Sequence, residues 1–169
     1  MGTDAHRASH SASHSASPSA PKPASRPASH PTPPPLLKGA GLDEIREAFA
    51  LDHFAVGLCG VRIEEAAYGH AVCSLKIEEH HLNLMGVVMG GAIFTLADFC
   101  LAVISNIGES PSTSVSATIE YFSPAKGDTL IASASPDRRG RRLGFYTIDV
   151  SDNLGTSVAR MVATVLRNP

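Results

Sequence analysis

Asp98 is the residue from which chemistry follows most directly. It is the one charge in an otherwise apolar run from Val87 to Ile104. A carboxylate rarely enters a protein interior without a partner, because leaving water is costly or shifts its pKa. A lone acid on a buried helix is therefore a candidate general base or nucleophile. Gly90 and Gly91 stand just ahead of it. At a helix start the first backbone N–H groups lack partners within the helix and carry positive partial charge. Glycine at that point lets a substrate approach the backbone. One stretch thus supplies both a base and a donor for an oxyanion.

These groups need a frame. The Val87–Ile104 run is apolar on every side, which predicts a helix buried all round. Its length is marginal for a bilayer span, and Asp98, the glycine pair and the lack of basic flanks argue against a membrane. Ahead of it, Leu42 to Leu51 predicts a short amphipathic helix, with Leu42, Ile45 and Phe49 on one face. Gly57 to Glu65 and Gly69 to Glu78 predict two strands joined near Ala66–Tyr68. In the second, Ala71, Cys73, Leu75 and Ile77 alternate with polar residues. The adjacent His80 and His81 cannot point the same way on an extended chain, so they make no metal site by themselves.

Four strands are expected after the central helix. Thr113 to Phe122 alternates, with Val115, Ala117, Ile119 and Tyr121 on one face and Ser114, Ser116, Thr118 and Glu120 on the other. Thr129 to Ser135 follows the turn Lys126-Gly127-Asp128, Leu143 to Ser151 follows the basic loop Arg138-Arg139-Gly140-Arg141-Arg142, and Thr156 to Leu166 follows Asp152-Asn153-Leu154-Gly155. A long helix wrapped by an antiparallel sheet of five to six strands is an α+β fold.

Composition narrows the setting. The chain has 169 residues and a net charge of −2, so no nucleic acid or anionic membrane is implied as partner. Cys59, Cys73 and Cys100 are odd in number, lie in apolar runs and form no C-x-x-C pair, which predicts reduced thiols and a cytoplasmic protein. Residues 1–38 are rich in Ser, Ala, His and Pro and cannot bury enough apolar surface to offset their ordering entropy. They are expected to be a disordered tail, with residues 39–169 forming the domain. The tail has no apolar core of a secretory signal, and its arginines are too sparse for a transit peptide. His6, His10 and His14 recur in a Ser-Ala-Ser-His repeat, best accounted for as unstructured sequence.

The run Asn83-Leu84-Met85-Gly86-Val87-Val88-Met89-Gly90-Gly91, with Asp98 eight residues past the first paired glycine, resembles the N-x-x-G-x-x-H-G-G signature of hotdog-fold acyl-CoA thioesterases of the PaaI type. Tyr121-Phe122-Ser123-Pro124-Ala125-Lys126, then Gly127-Asp128, is a second match at the end of the third strand. The resemblance covers roughly Phe54 to Leu166. It implies a homodimer, and a tetramer beyond it, with sites shared between two chains. Asn83 and Gly90 would come from one protomer and Asp98 from the other. Hydrolysis of acyl-CoA thioesters would follow, with Asp98 as base or nucleophile, the Gly90 N–H as oxyanion donor and Asn83 orienting water or nucleophile. Ser114 falls where relatives carry a hydroxyl near the reacting water, with Thr113 beside it. Met89, Gly91 and Pro124 would line the substrate site. No metal and no cofactor are implied, coenzyme A being part of the substrate.

Two features bear on this expectation. Met89 stands where the family usually has His, and a thioether can neither donate nor transfer a proton. Arg138, Arg139, Arg141 and Arg142 form a cationic cluster suited to the phosphates of coenzyme A. Met89 motivates a second reading, a hotdog module that binds acyl-CoA without hydrolysing it; the retained acid speaks against that. A hotdog dehydratase is weaker still, because its chemistry usually wants a histidine in the motif.

Overall fold

A computed structural model describes residues 35–109 and 111–167. The tail repeat with His6, His10 and His14 lies outside them. Within the described residues the order is α1 (Leu42–Phe49), β1 (Arg62–Ala67), β2 (His70–Lys76), α2 (Gly90–Asn106), β3 (Ser112–Tyr121), β4 (Thr129–Arg139), β5 (Leu143–Asp152) and β6 (Ser157–Arg167). The six strands form one antiparallel sheet in the order β1-β2-β4-β5-β6-β3. The expected α+β arrangement, a long helix against an antiparallel sheet, is the one found.

The 17-residue α2 is about 25 Å long. Ile93, Leu96, Ala97, Cys100, Leu101, Val103 and Ile104 are buried against the sheet, where Leu75, Leu130, Ile148 and Met161 meet them. A fully buried Leu or Ile contributes about 1.5–3 kcal/mol, so this face fixes the helix on the sheet. The expected all-round burial does not hold. Gly91 and Asp98 are exposed, and Thr95 and Ala102 on the same stripe are half-buried. The sheet covers one side of α2, and among the described residues the stripe carrying Gly91 and Asp98 stays open.

Three other expectations are corrected. Residues from Gly57 do not begin a strand: His53–Leu58 form a single π-helical turn, because the Asp52 carboxylate accepts hydrogen bonds from the Phe54 and Ala55 amides at 3.0 and 2.8 Å. Leu36 is buried and forms a parallel bridge with Ile107, so packed chain begins ahead of the expected boundary at residue 39. In β3 a bulge falls between Ser114 and Ser116, leaving Val115 without a partner on β6. Ser114 then pairs with Val165, Ala117 with Ala163 and Ile119 with Met161. Ser114 therefore shares the side of the strand that carries Ala117 and Ile119 rather than opposing them, and is itself exposed in the single chain. A period-two pattern cannot reveal one inserted residue.

Candidate active site

The start of α2 is set by its own chain. Met89 is the N-cap residue, its side chain makes no capping bond, and it is 57 % exposed. Its amide donates to the His81 carbonyl at 2.8 Å. His81 is itself pinned: its Nδ1 accepts from the Glu78 amide at 3.0 Å, and Nε2 lies 3.1 Å from the Cys59 carbonyl. That places the proton on Nε2 and leaves the ring neutral. Burial, reinforced by neighbouring His80, holds its pKa below the usual histidine range. With both nitrogens engaged, His81 does not stand in for the histidine missing at Met89; it anchors the loop that delivers the helix.

Asn83 shapes that loop. Its Oδ1 accepts from the Met85 and Val87 amides at 2.9 and 3.3 Å, its own amide donates to the Val87 carbonyl at 2.8 Å, and Gly86 turns with φ of +72°. The carbonyl side of the Asn83 amide is thus occupied by the backbone. Its NH2 group makes no hydrogen bond among the described residues and remains a donor.

The Gly90 and Gly91 amides donate to no acceptor among the described residues, whereas the Ala92 and Ile93 amides both turn back to the Met89 carbonyl. Two bare N–H groups at the positive end of a 17-residue helix can hold a developing oxyanion. Gly90 borders a cleft of about 280 Å³ lined also by Val87, Val88, Ile93, Tyr121, Phe122, Ser123 and Pro124. Pro124 thus lies with Gly90, and the loop carrying it is tied down by the Lys126 and Gly127 amides donating to Asp152 at 2.7 and 2.9 Å.

Asp98 is exposed in the single chain and has no hydrogen-bonding partner among the described residues. Partial desolvation, then the nearby negative charge of Asp52, push its pKa above the ordinary aspartate value. Asp98 stands two turns along α2 from Gly90, about 12 Å in axial rise. No substrate carbonyl can touch both within one chain, since a hydrogen bond or attack needs about 3 Å.

The remaining expected residues separate. Ser112 Oγ donates to Ser105 Oγ at 2.9 Å and the Tyr121 hydroxyl donates to the Gly90 carbonyl at 3.0 Å, so β3 runs antiparallel alongside α2. Ser114 lies between these contacts, exposed and on the side that carries Ala117 and Ile119; Thr113, paired with Leu166, faces the other way. The four arginines do not form one loop. Arg138 and Arg139 end β4, and Arg139 turns inward. Its guanidinium stacks 4.2 Å from the centre of the Tyr68 ring, pairs with Glu109 at 3.6 Å and donates to the Ile104 carbonyl at 3.5 Å. Arg139 is therefore corrected from a phosphate ligand to a cap on the last turn of α2, about 21 Å in axial rise from Gly90. Arg138, Arg141 and Arg142 remain exposed.

Sequence reading missed three residues: Asp52 beside Asp98, His81 as loop anchor, and Tyr121 against Gly90. Asp52 had a signal, an acid just before an apolar segment, which is an N-cap pattern. The other two depend on contacts across the fold. Among the described residues no group of three His, Cys, Asp or Glu is placed to hold a metal, and no helix is long and apolar enough to cross a membrane.

Comparison with known proteins identifies the family. The family described as the thioesterase superfamily matches residues 85–159, which take in Met89, the glycine pair, Asp98 and β3 to β5. Acyl-coenzyme A thioesterase 13 of Homo sapiens is 33% identical over 95 residues, covering 54% of this chain and 68% of its own. The solved PaaI protein of Escherichia coli superposes with a TM-score of 0.69 at 26% identity, covering 73% of this chain and 90% of that one. A Streptococcus mutans protein solved bound to acetyl CoA superposes with a TM-score of 0.61 at 25% identity, over 64% of this chain and 88% of that one. With the helix-on-sheet fold and these relatives in agreement, the chain belongs to the hotdog-fold thioesterases of the PaaI type and is a thioesterase.

Proposed function

We propose that this thioesterase hydrolyses acyl-CoA esters at a site assembled from two copies of the chain, Gly90 from one and Asp98 from the other. The 12 Å or so between these residues along a single helix carries the proposal. Two α2 helices lying antiparallel along their Gly91–Thr95–Asp98–Ala102 stripes would bring each helix tip toward the other's acid. Small side chains on that stripe allow the close approach. The outer edge of β3, with Val115 55% exposed, is free to continue the sheet.

In this site the thioester carbonyl lies against the Gly90 N–H. Asp98 takes a proton from water as the water oxygen bonds to the carbonyl carbon. The oxyanion is held by the helix tip, then collapses, breaking the C–S bond and releasing coenzyme A as a thiolate that recovers the proton. Asn83 donates through its NH2 to the water, and the Ser114 hydroxyl borders it. Alternatively the Asp98 carboxylate attacks directly and water cleaves the resulting anhydride. Label found in Asp98 after a single turnover in 18O-labelled water would establish the second route, through attack of water on the Asp98 carbonyl carbon of the anhydride. Exposed Arg138, Arg141 and Arg142 lie at the far end of α2 and so would meet the phosphates of a substrate held at the other copy's helix tip. The acetyl-CoA-bound relative supports coenzyme A as the carrier.

The test is thiol release from a panel of acyl-CoA esters, together with sedimentation of the enzyme. Turnover by a dimer or larger assembly is expected; a fully active monomer would sink the shared site. Met89 favours one second reading, binding without turnover, which recovery of intact acyl-CoA from the complex would establish.

A further inference from the structure

The Tyr121 hydroxyl donates to the Gly90 carbonyl at 3.0 Å. Its ring is so close that a Cβ built on Gly90 would lie 3.3 Å from both Cζ and the hydroxyl oxygen. Neither contact takes part in the reaction described above. The Gly90 carbonyl and the Gly91 N–H belong to one planar trans peptide unit, so they point in opposite directions and move together. The carbonyl oxygen has two acceptor sites. One serves the helix ladder, and the phenol takes the other. Hydrogen bonds linked through one peptide also polarise each other, strengthening each by about 10–30%.

We propose that Tyr121 is a positioning residue for the oxyanion hole: by holding the Gly90 carbonyl it fixes the direction of the Gly91 N–H, the second bare donor of the helix tip, and its ring disfavours a side chain at position 90. The inference rests on the helix tip being the oxyanion site. It adds to that reading a second donor and a residue from β3 that controls it. Tyr121 suits the role because it is anchored on a strand: it pairs with Ala159 of β6, and the following Phe122 amide donates to the Val158 carbonyl at 2.8 Å. The phenol is thus fixed by the sheet and in turn fixes the tip of the helix.

Tyr121→Phe in the full-length enzyme keeps the ring and removes the hydrogen bond. One neutral hydrogen bond is worth about 0.5–1.5 kcal/mol, so kcat should fall about three- to tenfold. KM should stay within about twofold, because the donor acts on charge that develops only in the transition state. The carbonyl-carbon resonance of Gly90 and the amide-nitrogen resonance of Gly91 should both shift. Unmoved resonances would overturn the brace, and shifted resonances with unchanged kcat would overturn its catalytic role. For the ring, Gly90→Ala should lower the Tm, and adding Tyr121→Leu should recover part of that loss; an equal loss in both backgrounds would refute the steric half. If the wild-type enzyme hydrolyses no acyl-CoA, the proposed reaction and the catalytic half of this inference fall together. The resonances and the Tm values still decide whether the phenol holds the peptide.

Discussion

Asp98 on α2 and Asp152 at the end of β5 are two carboxylates of one fold that are treated in opposite ways. Asp152 is 2% exposed and accepts from four backbone amides: Lys126 at 2.7 Å, Gly127 at 2.9 Å, Leu154 at 3.0 Å and Thr156 at 2.8 Å. Burial opposes its charge, but the bonds from Gly127, Lys126 and Thr156 outweigh it and hold the carboxyl well below the usual range. It fastens the turn after β3 to the turn after β5. Asp98 has no such donors; desolvation and Asp52 push its pKa the other way. A carboxylate surrounded by donors has nothing left to offer a substrate. One that is unpaired, partly desolvated and close to another negative charge takes up a proton more readily.

The contrast is sharpest in the first experiment. Asp98→Asn should lower kcat by about 10²- to 10⁴-fold, the usual loss for a general base, without lowering the Tm, since it removes a destabilised charge. A variant that keeps its rate would remove Asp98 from the chemistry. Asp152→Asn should do the reverse: the Tm drops by about 5–10 °C while kcat measured well below the transition changes little. A large kcat loss in a fully folded Asp152→Asn enzyme would show that the two acids are not separable in this way. Asp152 also sets an acid limit. Its folded-state pKa is depressed, so its stabilisation is present above the ordinary value of about 4 and is lost as pH falls below it. Acid-unfolding curves of Asp152→Asn should lack that component.

How much of this was legible in the sequence differs between the two regions. Asp98 stood out because a lone charge in an apolar run needs only composition to be noticed, and the glycine pair gave it a partner. The alternation in β2 and the turn at Lys126-Gly127-Asp128 placed strands for the same reason: each signal lies within a few neighbouring residues. Asp152 looked like an ordinary turn residue, because two of its four donors sit 25 and 26 residues away. Arg139 was misassigned on the same grounds. Four arginines in five positions look like an anion site until Tyr68 and Glu109, distant in sequence, draw one of them inward. The exposed stripe of α2 escaped notice because overall hydrophobicity cannot tell a helix covered on both sides from one with a side left open.

The smallest effect concerns the neighbour that distinguishes Asp98 electrostatically. With Asp98 as the proposed base, which works only when ionised, its raised pKa should put the acid limb of kcat above the ordinary aspartate value. Asp52→Asn removes one negative charge, so the limb should move to lower pH, by less than about one unit at this solvent exposure. A limb that stays in place would leave desolvation alone as the cause, and an upward shift would contradict the assignment.

The cleft beside Gly90 has a spectroscopic use. The chain contains no tryptophan, and its three tyrosines sit in different settings: Tyr146 fully buried, Tyr68 stacked under Arg139, and Tyr121 in the cleft. Phe122, 52% exposed on the same wall, can therefore be replaced by an indole that would be the molecule's only one. Its fluorescence would follow ligand entry at the helix tip free of background, and would time the filling of the site separately from the appearance of free thiol.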